Sequence, residues 1–497
     1  MSETNPKAGT SRSSESRRRF FKLLAGSPLL AMAYPTLPPE WQREIARVWR
    51  PRAVAGPAPA GVACAECGKE LVFASGAEAN RFAAQQAGKQ AVGKAAAAKP
   101  EVVVDPDAGR NRYLEGQLTG QVLNSAEEAV NVWDMEATLH STNLPEHWAY
   151  LHMGVNDFET RVANREGFQK LMLRPRRLGK DATKVDTSVQ LLGRKWATPL
   201  FLCPVAALQA YNTVGECGAA RAAKAKGILQ IQSNVSSQSY EEIAEARGEP
   251  HWFQLYSNPD LDVNKRVLDR VSKAGCPVLV WTIDLLGGSN RELDTRSLGL
   301  EGRNGPLCQN CHNHQKGYQR PMTRGLEGPP GPRPPYTWDY IKRLKDLTSM
   351  KLIVKGIMTR EDAEMAIEQG VDGIYVSNHG GRASNDLRGT IEALPEVVAG
   401  VRGRVPVMVD SGVRRGGDIF KALALGATAV GIGRPYVWGL GSFGDDGVAR
   451  VIDMCIQELT MVMKQTRTTA IDEINNQFVM QRSTPIMMRD NRLGLGL

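Results

Sequence analysis

The chain has 497 residues, of which 42% are hydrophobic and 23% are charged, and this length suffices for one large domain with extensions or for two or three ordinary domains. No apolar run reaches the roughly 18 residues that a membrane span requires, so the composition predicts a globular protein. The net charge of +9 does not indicate a nucleic-acid-binding face, because residues 1–60 contain ten Lys or Arg against four Asp or Glu and so carry +6 of it.

The first 33 residues have the pattern of a twin-arginine export signal. Residues 16–22, SRRRFFK, are basic, residues 23–33 are apolar, and Ala31 and Ala33 fit an A-x-A cleavage site. We therefore expect residues 1–33 to be a signal peptide that the twin-arginine export machinery recognises, and the protein to reach the periplasm already folded. The alternative is a disordered basic tail with a chance apolar patch.

Residues 34–120 are rich in Ala, Pro and Gly, a composition typical of a linker or a loosely ordered extension. The sequence changes in character near Ser125, which precedes Glu127 and Glu128 and has the form of a helix N-cap followed by an acidic first turn. We expect the folded domain to occupy residues 121–497.

Eight short apolar runs alternate with helix-like stretches in this domain. Such runs indicate parallel strands that are covered on both faces, and eight of these units predict a (β/α)8 barrel, the TIM barrel. The alternative, an open doubly wound sheet, is disfavoured because no G-x-G-x-x-G follows the first run. The runs are residues 199–205, 227–232, 252–256, 278–284, 351–355, 373–377, 405–410 and 427–433.

Polar side chains collect where these runs end. Active sites of such barrels lie at the C-terminal ends of the strands, and isolated charges are costly to bury, so these ends are predicted to face a ligand-filled mouth. The residues at these ends, including four apolar or glycine positions, are Pro204, Val205, Ala206, Ser233, Gln254, Tyr256, Thr282, Asp284, Lys355, Ser377, His379, Asp410, Gly433 and Arg434.

The sixth run ends in the string SNHGGR, residues 377–382. A histidine at a strand end is suited to act as a general base near neutral pH, and Arg382, three residues after His379, can bind a carboxylate through two donors. His-Gly-Gly alone is also compatible with an ordinary strand-to-helix turn. The whole string resembles the active-site signature of the FMN-dependent α-hydroxy acid oxidases and dehydrogenases, and the resemblance extends from about residue 150 to the mid-450s.

The resemblance implies an FMN cofactor at the barrel mouth. Lys355 would supply positive charge where reduced flavin becomes anionic, Asp410 would accept hydrogen bonds from the ribityl hydroxyls, and residues 412–414 and 433–434 would bind the phosphate. For Gly-Arg-Pro at residues 433–435 alone, a phosphate site for another ligand is the alternative. The matching cofactor positions are Pro204, Val205, Ala206, Ser233, Gln254, Thr282, Lys355, Ser377, Asp410, Ser411, Gly412, Val413, Arg414, Gly433 and Arg434.

The resemblance also implies a reaction, the oxidation of an L-2-hydroxy acid to the 2-oxo acid, with electrons passing from flavin to oxygen, a quinone or a cytochrome. His379 would be the base and Asp284 would orient its imidazole. The substrate would meet the hydroxyls of two tyrosines and a carboxylate clamp of two arginines. These residues are Tyr256, Tyr150, Arg291 and Arg382. A homo-oligomer, commonly a tetramer among the relatives, is a further expectation.

Three positions depart from the family pattern. Val205 stands where threonine is usual, Val235 stands where a bulky aromatic is common, and residues 383–385 read Ala-Ser-Asn where Gln-Leu-Asp is usual. The missing bulk at Val235 permits a larger or peptide-derived substrate, which is one alternative. A non-catalytic flavin-binding module is the other, although such a module has no use for a base between two carboxylate-binding arginines.

Eight cysteines complete the sequence pattern. Cys203, Cys217, Cys276 and Cys455 are isolated and are expected to be small buried hydrophobic residues. The other four form two Cys-x-x-Cys pairs, Cys64 with Cys67 and Cys308 with Cys311. The second pair lies in an insertion between the fourth and fifth runs, at about residues 297–336. A local disulfide, a shared zinc site, haem attachment at Cys-x-x-Cys-His and idle thiols all remain open for these pairs.

Overall fold

The computed structural model describes residues 120–293, 320–326, 334 and 336–482, together with two short strands nearer the N-terminus. The chain divides into two units, Met1–Lys99 and Pro100–Leu497. In the first, β1 (Val62–Ala63) pairs antiparallel with β2 (Glu70–Leu71), with Val62 opposite Leu71. The predicted signal peptide, most of the predicted linker and both Cys-x-x-Cys pairs lie outside the described residues, so these predictions stay predictions.

From residue 120 onward, three helices precede the barrel in the second unit: α1 (Val132–Thr142), α2 (Pro145–His152) and α3 (Glu159–Gln169). The predicted helix start at Ser125 is only a 3-10 turn, Ala126–Glu128, and the Ser125 side chain caps no backbone N–H of that turn. Asn131 caps α1 instead. Its side chain accepts hydrogen bonds from the backbone N–H groups of residues 133 and 134, and the Asp134 carboxylate accepts one from the backbone N–H of Asn131.

Short antiparallel strands follow α3 and close the N-terminal end of the domain. β3 (Leu171–Leu173) pairs with a strand from the far end of the chain, Val479–Gln481, and β4 (Val189–Leu191) pairs with β5 (Arg194–Trp196). The pairing of β3 places residues that are about 300 positions apart side by side, and so ties the C-terminal segment to the start of the domain.

Eight parallel strands form a closed barrel within the described residues, which confirms the predicted fold. Each strand lies inside or overlaps one of the predicted apolar runs. β13 closes the barrel by pairing with β6, where Val430 is opposite Leu200. The strands are β6 (Leu200–Leu202), β7 (Leu229–Ser233), β8 (Trp252–Leu255), β9 (Val278–Thr282), β10 (Lys351–Ile357), β11 (Gly373–Val376), β12 (Val407–Val409) and β13 (Ala429–Ile432).

Helices cover the outside of the barrel: α4 (Gly215–Ala225), α5 (Tyr240–Arg247), α6 (Leu261–Lys273), α7 (Trp338–Leu347), α8 (Arg360–Glu368), α9 (Thr390–Val401), α10 (Gly416–Ala424) and α11 (Arg434–Thr466). Short 3-10 turns lie at Leu208–Ala210, Ile471–Glu473 and Asn476–Phe478, and β14 (Val479–Gln481) follows them. None of the described helices is both long and apolar enough to cross a membrane.

The core has two parts because both faces of each barrel strand are buried. Side chains such as Leu202, Val354 and Val376 pack outward against the helices, whereas Phe201 and Tyr375 belong to a separate cluster inside the barrel. Continuous apolar runs are therefore required in these strands, which is why the strands were visible in the sequence. The isolated cysteines at 203, 217, 276 and 455 are buried and free, as predicted.

The last helix, α11, contains a break that depends on glycine. Phe443 and Gly444 have non-helical backbone angles, and Gly444 has φ of +59°. The two halves of the helix come so close that a Cβ on Gly439 would lie 2.3 Å from the carbonyl oxygen of Gly447. Side chains are therefore excluded at this contact.

We predict that Gly439→Ala destabilises the domain by about 1–3 kcal/mol, because the added methyl group meets backbone that cannot move aside. The measurement is the free energy of unfolding in guanidinium chloride. Gly417→Ala is the matched control, since nothing lies within 4 Å of its Cβ position in α10 and alanine favours helix by up to about 1 kcal/mol. Equal stability of the Gly439→Ala variant and the native protein would contradict this packing.

Candidate active site

A cavity opens at the C-terminal ends of the barrel strands, where the sequence placed the site. Its empty volume is about 860 Å³, including the open mouth, which lies within the range of cofactor and ligand sites. The predicted residues that line it are Tyr150, Pro204, Val205, Ala206, Ser233, Tyr256, Thr282, Lys355, His379, Arg382, Asp410, Ser411, Gly412, Val413, Arg414, Gly433 and Arg434.

Four predicted site residues do not line the cavity, and each is hydrogen-bonded to a residue that does. Gln254 accepts a hydrogen bond from Ser233 and donates one to Thr282. Ser377 accepts from the His379 N–H, and Asp284 accepts from His379 and Lys355. Arg291 donates to the carbonyl of Arg382. The structure therefore gathers all of the predicted catalytic, substrate-binding and cofactor-binding residues into one assembly.

Sequence reasoning missed four residues that line the cavity: Leu151, Cys203, Gly380 and Gly431. Leu151 and Gly380 adjoin Tyr150 and His379, so their neighbours were the available signal. Cys203 and Gly431 lie at or near the ends of β6 and β13 and are small, so no sequence pattern separates them from ordinary core positions.

The centre of the site is a chain of three titratable side chains, one from each of three neighbouring strands. His379 Nδ1 lies 2.8 Å from Asp284 Oδ1, and Lys355 Nζ lies 3.2 Å from Asp284 Oδ2. The side chains of Asp284 and Lys355 are only 7% and 5% exposed. Asp284 follows β9, Lys355 lies in β10 and His379 follows β11, so the order of the strands brings them together.

Burial and charge set the ionisation of this chain. Burial raises the pKa of Asp284, but the adjacent His379 and Lys355 outweigh burial and hold that pKa well below its ordinary value. Burial lowers the pKa of Lys355, but the charges of Asp284 and Asp410 reverse this and leave that pKa raised. Asp284 and Lys355 are therefore a buried ion pair.

The imidazole of His379 is neutral at pH 7. Burial lowers its pKa below the ordinary value of 6.5, and the opposing effect of Asp284 is too small to restore it. An ionised carboxylate only accepts hydrogen bonds, so Asp284 requires the ring proton on Nδ1 and leaves a lone pair on Nε2. Tyr256 lies on that side, with its hydroxyl 3.1 Å from Nε2, and burial raises the Tyr256 pKa so that the hydroxyl keeps its proton.

Backbone geometry presents the His379 ring to the cavity. His379 has φ of +61°, in the left-handed region that non-glycine residues seldom occupy. Gly380 and Gly381 also have positive φ, and a Cβ on Gly381 would lie 2.6 Å from the backbone of Arg161 in α3. The turn is therefore packed directly against a helix that precedes the barrel, which explains the paired glycines of the signature.

The two predicted carboxylate-binding arginines occupy different places. Arg382 lines the cavity, donates to the carbonyl of Tyr150 and lies 4.6 Å from the centre of the Tyr150 ring. Arg291 donates through Nε and one terminal nitrogen to the carbonyl of Arg382, at 3.1 and 3.0 Å. The residue that replaces the family aspartate, Asn385, accepts from the backbone N–H and the hydroxyl of Thr160 and donates to Glu159, so it joins this loop to α3.

The part of the cavity around Gly433 and Arg434 fits an anionic group. Gly433 is the N-cap of α11, and as a glycine it has no side chain that could cap this helix end, where an anion is favoured. The Arg434 guanidinium donates to the carbonyls of Leu151, Met153 and Gly380. With the buried Lys355 ammonium and the Asp410 carboxylate along the wall, the cavity has a place for a phosphate, for hydroxyls and for an electron-accepting ring system, which are the three parts of FMN.

Comparison with known proteins identifies the family. The profile of the FMN-dependent dehydrogenases matches residues 140–481. The chain belongs to the FMN-dependent α-hydroxy acid oxidase and dehydrogenase family. The predicted enzyme class, FMN-dependent oxidation of 2-hydroxy acids, is confirmed, and the alternative of a non-catalytic module is dropped.

This chain matches its relatives over most of their length. The peroxisomal (S)-2-hydroxyacid oxidase GLO3 of Arabidopsis thaliana is 37% identical over 358 residues, which are 71% of this chain and 97% of the relative. The L-lactate oxidase of Lactobacillus jensenii is 35% identical over 376 residues, 72% of this chain and 87% of the relative. The crystal structure of a lactate oxidase from Pediococcus acidilactici superposes with a TM-score of 0.65 at 32% identity, covering 72% of this chain and 96% of that one.

The lowered pKa of His379 predicts the pH dependence of the family reaction. A base acts in its neutral form, so kcat/KM should rise with pH through an inflection below 6.5 and be level at neutral pH. Asp284→Asn removes the charge that raises this pKa, so the inflection should move to lower pH while the rate falls. Steady-state kinetics between about pH 5 and pH 9 provide the measurement. An inflection above 6.5, or a move to higher pH in the variant, would contradict the assignment.

Proposed function

We propose that this enzyme binds FMN in the cavity and oxidises an L-2-hydroxy acid to the 2-oxo acid, with His379 as the base. The observation that carries the proposal is the buried chain of Lys355, Asp284 and His379 at the mouth of the barrel. A charged lysine and a neutral, correctly oriented imidazole are the two groups that this oxidation needs, one for the developing negative charge and one for the proton.

The cofactor is held by three parts of the cavity. Lys355 lies along the wall with its charge balanced by Asp284, so that it adds positive charge without being an unpaired buried ion. The backbone N–H groups at the start of α11 and the turn at residues 412–414 would bind the phosphate, and Asp410 would accept from the ribityl hydroxyls. Bound FMN supplies an acceptor for two electrons.

Proton transfer falls to His379 because its Nε2 lone pair faces the cavity side of the ring. The Tyr256 hydroxyl occupies that position at 3.1 Å and would turn to the substrate oxygen when an acid enters. On accepting a proton the imidazole becomes a cation, and Asp284, 2.8 Å from Nδ1, stabilises it. The substrate loses two electrons and two protons in total, and His379 accepts one of those protons.

The substrate carboxylate is assigned to Arg382, with Tyr150 beside it. Both line the cavity, and Arg382 lies three residues from the base, so a bound acid would have its hydroxylated carbon close to His379. Arg291 supports this arrangement by holding the Arg382 backbone through two hydrogen bonds. The L-lactate oxidase among the relatives favours a short acid such as lactate as the substrate.

We predict that His379→Gln leaves FMN bound and slows its anaerobic reduction by L-lactate about 10²- to 10⁴-fold, because glutamine retains polarity but accepts no proton. Rapid-mixing absorbance of the flavin measures the rate, and the spectrum before mixing measures cofactor content. The matched control is His140→Gln, a histidine on the exposed side of α1, which should reduce normally. Normal reduction of the His379→Gln protein would exclude the assigned role.

We also propose that the enzyme is exported through the twin-arginine pathway, which residues 16–33 support by their sequence alone. Changing Arg17 and Arg18 together to lysine should leave the full-length enzyme folded in the cytoplasm, because the export machinery reads the arginine pair. Fractionation of producing cells, with enzyme activity assayed in each compartment, measures this. Native protein found wholly in the cytoplasm would refute export.

A further inference from the structure

Tyr375 is a buried polar residue of the barrel interior that the mechanism above does not use. It lies in β11, beside Lys355 in the register of the barrel, and its ring packs edge-on against Phe201 with 5.4 Å between centres. It has no exposed surface, and its ring belongs to the apolar cluster inside the barrel together with Ile353, Phe201 and Met408. A phenylalanine would pack as well there, so the hydroxyl group needs an explanation.

The hydroxyl of Tyr375 is directed at Asp410, on the wall of the cofactor cavity. Its oxygen lies 2.8 Å from Asp410 Oδ2 and 3.3 Å from Cys203 Sγ. A hydroxyl has one proton to donate, and a carboxylate is a far stronger acceptor than a sulfur atom, so the proton is directed to Asp410. Burial raises the pKa of Tyr375 well above its ordinary value, so the proton stays on the tyrosine.

The other oxygen of Asp410 is held as well. Ser411 donates from its hydroxyl to Asp410 Oδ1 at 2.8 Å, while the same hydroxyl accepts the Gly380 N–H at 3.0 Å. Each oxygen of the Asp410 carboxylate therefore has its own donor, Tyr375 inside the barrel for Oδ2 and the adjacent Ser411 for Oδ1. The carboxylate cannot rotate without breaking one of these bonds.

A fixed orientation is useful here because Lys355 would otherwise compete for the carboxylate. Both side chains line the same cavity, and the charge of Asp410 contributes to the raised pKa of Lys355. The Lys355 ammonium lies 5.6 Å from the centre of the Tyr375 ring, so the tyrosine is adjacent to both charges. Its hydroxyl keeps Asp410 oriented independently of Lys355, which is paired with Asp284.

We propose that Tyr375 is a positioning residue for the cofactor, which holds Asp410 in the orientation that accepts the ribityl hydroxyls of FMN. The inference rests on the proposed FMN site. Tyr375 does not line the cavity and touches the cofactor only through Asp410. Because Asp410 is already oriented before FMN binds, binding does not have to order its side chain and loses less conformational entropy. The expected effect is therefore on cofactor affinity.

Tyr375→Phe tests this, because it removes the hydroxyl and keeps the ring that packs on Phe201. We expect about tenfold weaker FMN binding, by analogy with residues that orient metal ligands, whose removal typically lowers metal affinity by about 10- to 100-fold. The measurement is the recovery of FMN fluorescence as the holoenzyme is diluted. Tyr240→Phe is the matched control: Tyr240 is equally buried, and its hydroxyl donates to the carbonyl of His251, the residue before β8, which does not line the cavity, so FMN affinity should not change.

A double-mutant cycle separates positioning from packing. If Tyr375 acts through Asp410, the loss caused by Tyr375→Phe should disappear in an Asp410→Asn background, where there is no carboxylate to orient. The same loss in both backgrounds would show that the tyrosine acts through packing, and would overturn the proposal. Unchanged affinity in the single variant would overturn it as well.

An FMN analogue with an unsubstituted pentyl chain in place of the ribityl chain gives a second readout that does not depend on the stability of the variant. Native protein should prefer FMN over this analogue, and the Tyr375→Phe protein should prefer it about tenfold less. An equal preference in both proteins would contradict the role of Tyr375. Native protein that binds neither ligand would instead refute the FMN site itself, so the two failures can be told apart.

Discussion

The buried ion pair between Lys355 and Asp284 is the constraint on which the rest of the site depends. Two charges inside a barrel are stable only as a pair, and removing either partner alone costs about 3–5 kcal/mol in typical cases. Lys355 of this pair places a positive charge at the cavity wall, and the second oxygen of Asp284 fixes the tautomer of His379. One carboxylate therefore serves both the cofactor side and the proton side of the reaction.

Backbone design makes this pair possible. Lys355 in β10 is opposite Thr282 in β9, and the chain continues two residues further to Asp284. Gly356 follows the lysine with φ of +113°, and a Cβ there would lie 2.9 Å from the Cβ of Asp284. Only glycine allows the two strands to approach this closely, so a residue with no chemistry of its own determines the distance between the charges.

The helices before the barrel belong to the site as much as the barrel does. Asn164 in α3 exchanges two hydrogen bonds with Asn378, beside the base, and Arg165 donates to the Gly412 carbonyl in the predicted phosphate turn. These contacts join residues more than 200 positions apart. They show why the family profile begins at residue 140, well before the first barrel strand, and why the catalytic turn keeps its strained conformation.

The sequence predicted the barrel and the composition of the site because both leave local signals. Eight apolar runs mark strands that are buried on two faces, and polar residues at their ends mark the mouth. The sequence did not predict the cap at Asn131, since Ser125 is an equally good N-cap type and only tertiary packing selects between them. Nor did the sequence distinguish Tyr375 from an ordinary core residue, because Asp410, the partner of its hydroxyl, lies at the end of a different strand.

The measurement that tests the account most directly is the absorption spectrum of the purified native protein, followed anaerobically during addition of L-lactate, glycolate and L-mandelate. The account predicts flavin bands that bleach with at least one of these acids, because the proposed FMN would lie beside a His379 whose pKa is lowered and a Lys355 whose pKa is raised. Protein that carries no flavin, or flavin that stays oxidised with all three acids, would contradict it.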